Sequence, residues 1–125
     1  MCSSDLLYAV HGKGNLDEAV RLAQQVVQAN PDVPSFADTL GWVYYQKGLY
    51  AAAADQLRKA VNIDEANARR ANSSPSPGFR FHLGMALKAK GDRNGARREL
   101  EQALRLNGGN NFGDADEARK ALASL

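Results

Sequence analysis

The chain has 125 residues, 44% of them hydrophobic and 24% charged, which allows one domain with a modest core. A formal net charge of +2 argues against a dedicated nucleic-acid binder, and no apolar stretch approaches the roughly 18 residues that a membrane helix needs. A single cysteine, Cys2, excludes an internal disulfide. Alanine is abundant and β-branched runs are absent, so the expected class is all-α.

Residues 1–6 are what a GTG start followed by TGC TCT TCC GAT CT would encode, a string that matches a common sequencing-library adapter. On that reading Cys2 has no function, and the chain is the C-terminal part of an N-terminally truncated gene. A lipidated Cys2 is the other reading, but the apolar signal segment that should precede it is missing.

Residues 6–11 form a short apolar stretch that ends at Gly12 and Gly14, where glycines accept the positive φ of a helix C-cap. A helix over 16–29 follows. Asn15 is placed to cap it, Asp17 and Glu18 suit its N-terminal dipole, and Leu16, Ala19, Ala23, Val26 and Val27 make an apolar stripe. Asn30-Pro31 stops it. Pro34 opens a helix over 34–47, at a position where a missing N–H costs nothing. Phe36, Ala37, Leu40, Val43 and Tyr44 share one face of that helix, and Trp42 and Tyr45 lie on another flank.

Gly48 is the turn to a partner helix over 50–63, with Ala53, Ala54, Leu57, Ala60 and Val61 inward. Residues 66–71 extend it by a turn or so, and 72–78 read as a mobile Pro/Ser loop. A helix over 77–90 carries Phe79, Leu83, Ala86 and Leu87. After Gly91-Asp92 comes a helix over 93–106 with Ala96, Leu100, Ala103 and Leu104 inward. A Gly/Asn loop leads to Asp114, placed to cap a last helix reaching about Leu125, whose apolar face is Ala115, Ala118, Leu122 and Leu125.

These elements repeat. Gly14 and Gly48 are 34 residues apart, and Gly48 and Gly91 are 43 apart, so the second interval holds nine extra residues, placed at 68–76. Ala19, Ala53 and Ala96 are equivalent, as are Val26, Ala60 and Ala103. In the unit over 34–67, Leu40, Gly41, Tyr44, Ala53, Leu57 and Ala60 stand at the positions that define a tetratricopeptide repeat. The unit over 77–110 supplies Leu83, Gly84, Leu87, Ala96, Leu100 and Ala103.

The chain therefore resembles the tetratricopeptide repeat family along nearly its whole length. The resemblance departs where Ala37 and Arg80 replace the family's Trp, where Glu65 and Gly108 replace its terminal Pro, and at Leu7, where a small Gly is expected. It implies an α-solenoid of about three helix hairpins: a partial unit over 1–33, two full units, and a capping helix over 114–125.

The resemblance further implies a concave face lined by the first helix of each unit, where a peptide or partner segment binds. By register its lining is Tyr8 and His11; Asp38, Trp42, Tyr45 and Gln46; and Phe81, Met85, Lys88 and Ala89. Aromatic side chains there are natural interface anchors, although Trp42 and Tyr45 also suit packing between helices. Some family members bind acidic chaperone C-termini through a Lys and Asn clamp. The corresponding positions hold Ser4, Tyr8, Asp38 and Trp42, so that clamp is not expected.

No catalytic motif, metal-ligand spacing or cofactor fingerprint is present; His82 reads as a helix-surface residue and Arg97-Arg98 as a solvated face. The expectation is a non-catalytic protein-interaction scaffold. The alternative is an oligomerisation or structural segment of a larger tetratricopeptide protein, an envelope lipoprotein or a repeat region attached to an enzyme, with no independent ligand. Separately, loss of upstream repeats would let the isolated chain self-associate through the exposed edge of the first hairpin. Arrays of this bacterial look occur in the cytoplasm and on envelope lipoproteins.

Overall fold

The structure, a computed structural model, describes residues 15–106 and 113–125. The described residues form six helices and no strand: α1 (Leu16–Ala29), α2 (Pro34–Gln46), α3 (Tyr50–Ala71), α4 (Pro77–Lys90), α5 (Arg93–Leu106) and α6 (Ala115–Ala123). The expected first helix over 6–11, and with it the hairpin edge read as a self-association surface, lies outside these residues.

Local chemistry sets the boundaries. The Glu18 amide donates to Asn15 Oδ1 at 3.2 Å, which satisfies one of the free N–H groups that open α1. Prolines open α2 and α4. Gly48 and Gly91 turn the chain at φ 83° and 101°, conformations that cost a side chain dearly. Asp92 starts α5 by accepting from the Gly95 amide at 2.9 Å. Asp114 makes no such bond. Its backbone, at φ −101° and ψ 16°, is not in the extended region from which a cap side chain reaches back.

Each helix packs on the next along the chain, and α2 also meets α4. A Cβ at Gly41 would sit 2.6 Å from Leu57 Cγ, and one at Gly84 would sit 2.7 Å from Leu100 Cγ. These two contacts are equivalent under the repeat. In each hairpin a fully buried leucine of the second helix presses onto the backbone of the first. Ala53, Ala60, Ala96 and Ala103, all fully buried, keep the remaining approach close. Tyr44 is half-buried, packs against two core clusters, and its hydroxyl accepts from Gln24 Nε2 at 2.9 Å.

The nine extra residues at 68–76 are not one loop: the helical extension over 66–71 is present, and only the part after it is a connection. The helix of that unit continues to Ala71, Ala68 is buried in it, and Asn72 caps it in the left-handed region at φ 54°. The short connection that follows is anchored: the Ser76 amide donates to Asp64 Oδ2 at 2.7 Å. Beyond it Arg80 donates to Glu65 of α3 and, at 2.7 Å, to Glu99 of α5. The lengthened helix supplies both Asp64 and Glu65, so it ties three helices together.

Candidate functional site

Asp38, Trp42, Tyr45 and Gln46 are spaced to share one face of α2; His82, Met85 and Lys88 do the same on α4. The α2–α4 contact brings the faces side by side and joins their rings. Trp42 stacks on Tyr45 with centroids 4.5 Å apart and planes 9° apart, and on His82 at 4.3 Å and 29°. Two near-parallel rings at those distances cannot share one face of an indole without overlapping, so Trp42 is held between them. Tyr50 continues the row beyond Tyr45 at 5.4 Å, and Phe81 continues it beyond His82 at 5.6 Å.

His82 Nδ1 lies 2.7 Å from Asp38 Oδ1. A carboxylate offers only acceptors, so the imidazole carries its proton on Nδ1 and donates it. That bond fixes the ring against Trp42. The burial of Tyr45, followed by the nearness of Tyr50, pushes its phenol above the usual range. Tyr50 and the adjacent Leu49 are exposed. The row thus runs from a buried end at Phe81 to an open end at the α2–α3 turn.

The expected lining residues divide accordingly. Trp42, Tyr45, Asp38, Met85 and Lys88 are half-buried; Gln46 and Ala89 are exposed. Phe81 does not line an open surface. It is 5% exposed, enclosed with Leu100, Ala103, Ala118 and Ala121 beneath α6. The last helix takes the place of a following unit's first helix, and a large apolar ring at the end of an array is what such a cap covers. Met85, Leu104, Leu122 and Leu125 pack around the same cluster. Tyr8 and His11 lie outside the described residues.

His82, Tyr50 and Arg80 are the residues that sequence reasoning placed elsewhere or passed over. His82 is no free surface histidine. Its place three residues before Met85 already put it on the lining face. Arg80, noted only as a departure from the family's Trp, bridges two carboxylates. It also borders a shallow polar pocket of about 280 Å³ with Arg98, Glu99, Glu101, Gln102 and Arg105.

Residues 11–76 and 78–110 each match a description of the tetratricopeptide repeat. Among curated proteins, the BBSome complex member BBS4 of Bos taurus is 32% identical over 68 residues; the match covers 50% of this chain and only 13% of that protein. The fold is similar to the Sgt2 TPR domain from Aspergillus fumigatus, with a TM-score of 0.78 and 20% identity over 98% of this chain and 73% of that one. It is also similar to the type III secretion chaperone SycD of Yersinia enterocolitica, solved in complex with a peptide of the translocator YopD. There the TM-score is 0.76, with 20% identity over 98% of this chain and 88% of that one. With more than half the chain matched, register and fold agree: the chain belongs to the tetratricopeptide repeat family.

Proposed function

We propose that this chain is a non-catalytic interaction module that holds a peptide or a partner segment on the face shared by α2 and α4. The observation that carries the reading is the row Tyr50, Tyr45, Trp42, His82, an aromatic strip that is half-buried on α2 and α4 and exposed at Tyr50, where α3 begins. Aromatics offer large contact area with few rotatable bonds, so they bind at low entropic cost. The YopD peptide bound by SycD supports the use of this fold for peptide capture. Because Trp42 has both ring faces occupied, a partner meets its edge, the ring of Tyr45, and the exposed Leu49 and Tyr50.

A displayed random-peptide library selected on the intact chain tests the reading. Trp42 is the only tryptophan, so its emission reports directly on that face. Peptides that shift Trp42 emission and lose binding on Tyr45→Ala and Tyr50→Ala, both with native helical circular dichroism, are the expected outcome. Binders indifferent to both substitutions would refute it.

A second reading is favoured by the match to 13% of the BBS4 length: the chain serves as one stretch of a longer array and binds only together with further units. Extended chains that bind the selected peptides at least ten-fold more tightly would favour it.

A further inference from the structure

Among the described lysines and arginines Arg80 and Lys88 are half-buried; Lys47, exposed as a residue, has only 28% of its side chain exposed and pairs with Asp17. Arg80 is neutralised by Glu65 and Glu99. Lys88 has no carboxylate among the described residues. Its Nζ donates to the Ser124 hydroxyl at 2.5 Å, and that hydroxyl donates onward to the Ala121 carbonyl at 2.9 Å. The stem of Lys88 is covered while its head stays at an exposed bond to a neutral hydroxyl, so its charge is accessible and meets no opposite charge there.

Lys88 lies one turn beyond Met85 on the aromatic face and stands in α4 where Tyr45 stands in α2. We propose that the partner segment carries a carboxylate that pairs with Lys88 and an aromatic or large apolar side chain that seats against Tyr45. The proposal rests on the reading of this face as the binding face. It does not use the clamp positions of the family, which hold Ser4, Tyr8, Asp38 and Trp42. Packed helix axes are about 8–10 Å apart, and an extended strand rises about 3.3 Å per residue. The two side chains of the partner therefore fall about three residues apart.

The same displayed library is selected in parallel on the intact chain and on Lys88→Glu. The intact chain enriches an aromatic or large apolar residue with Asp or Glu about three positions away. Lys88→Glu enriches Lys or Arg at that place instead. A synthetic peptide from the first selection loses about ten-fold in affinity on Lys88→Gln, and on Lys88→Met as a second variant with a different packing shape. Matching thermal midpoints show that the variants fold. Peptides that need Tyr45 but carry no acidic residue and bind Lys88→Gln unchanged overturn the Lys88 pairing while leaving the binding face intact. Failure to recover any Tyr45-dependent peptide overturns both.

Discussion

His82 and Asp38 lie forty-four residues apart in sequence, yet His82 Nδ1 sits 2.7 Å from Asp38 Oδ1. The bond crosses from one repeat to the next and aims the imidazole at Trp42. Asp38→Ala leaves a half-buried donor without its acceptor, which costs about 1–2 kcal/mol. His82→Ala removes both the bond and one side of the Trp42 stack. Urea unfolding of the two single variants and the double variant should show a coupling of about 0.5–1.5 kcal/mol. Strict additivity would mean that the two side chains stabilise the chain independently.

Gly41 and Gly84 have no room for a methyl group, because Leu57 Cγ and Leu100 Cγ would lie 2.6 and 2.7 Å from the new Cβ. Alanine favours a helix over glycine by about 1 kcal/mol. Overpacking against a fully buried leucine outweighs that gain, and each Gly→Ala change is expected to lose about 1–3 kcal/mol. Gly78 is the control. Nothing lies within 4 Å of a Cβ there, so Gly78→Ala should be neutral or slightly stabilising. Thermal midpoints of the three variants decide the matter.

Arg80 faces two carboxylates, with only 17% of its own side chain exposed. Arg80→Met leaves Glu65 and Glu99 without a counter-charge and should cost about 2–3 kcal/mol. Replacing both glutamates with glutamine in the same chain should recover most of that loss, because no unpaired charge remains. If the triple variant is no better than Arg80→Met, the guanidinium acts through packing alone.

The pH dependence follows from Tyr45. Its burial disfavours the phenolate, so its folded pKa lies above the ordinary value of about 10. The contribution is complete below the ordinary value and is lost as pH rises through the folded one. Between pH 9 and 11.5 the thermal midpoint of the intact chain should therefore fall more steeply than that of Tyr45→Phe. Parallel curves would show that this phenol ionises freely in the folded chain.

Most of the scaffold was legible because short-range chemistry writes it. Gly48 and Gly91 mark turns, Pro34 and Pro77 open helices, and Ala and Leu recur at helical spacing. The close approach at Gly41 and Gly84 could be inferred from their register alone. What could not be read were contacts fixed by how one unit sits on the next. Arg80 looked like an anomaly because its partners, Glu65 and Glu99, come from flanking helices. Asn72 to Pro77 looked loose because its tie to Asp64 depends on a helix that continues past the unit boundary. Phe81 looked available because nothing local says that α6 folds over it.

The nine-residue departure from the repeat has one more consequence. The chain leaves the regular array along the end of α3 and returns at Pro77, and Trp42 still meets His82 across the break. The excursion is spliced out as far as the row of rings on α2 and α4 is concerned. Its exposed tip, Ser73-Ser74, can thus carry a cargo. A fluorophore or a fused domain attached there would hang from exposed backbone that takes no part in the Trp42–His82 contact.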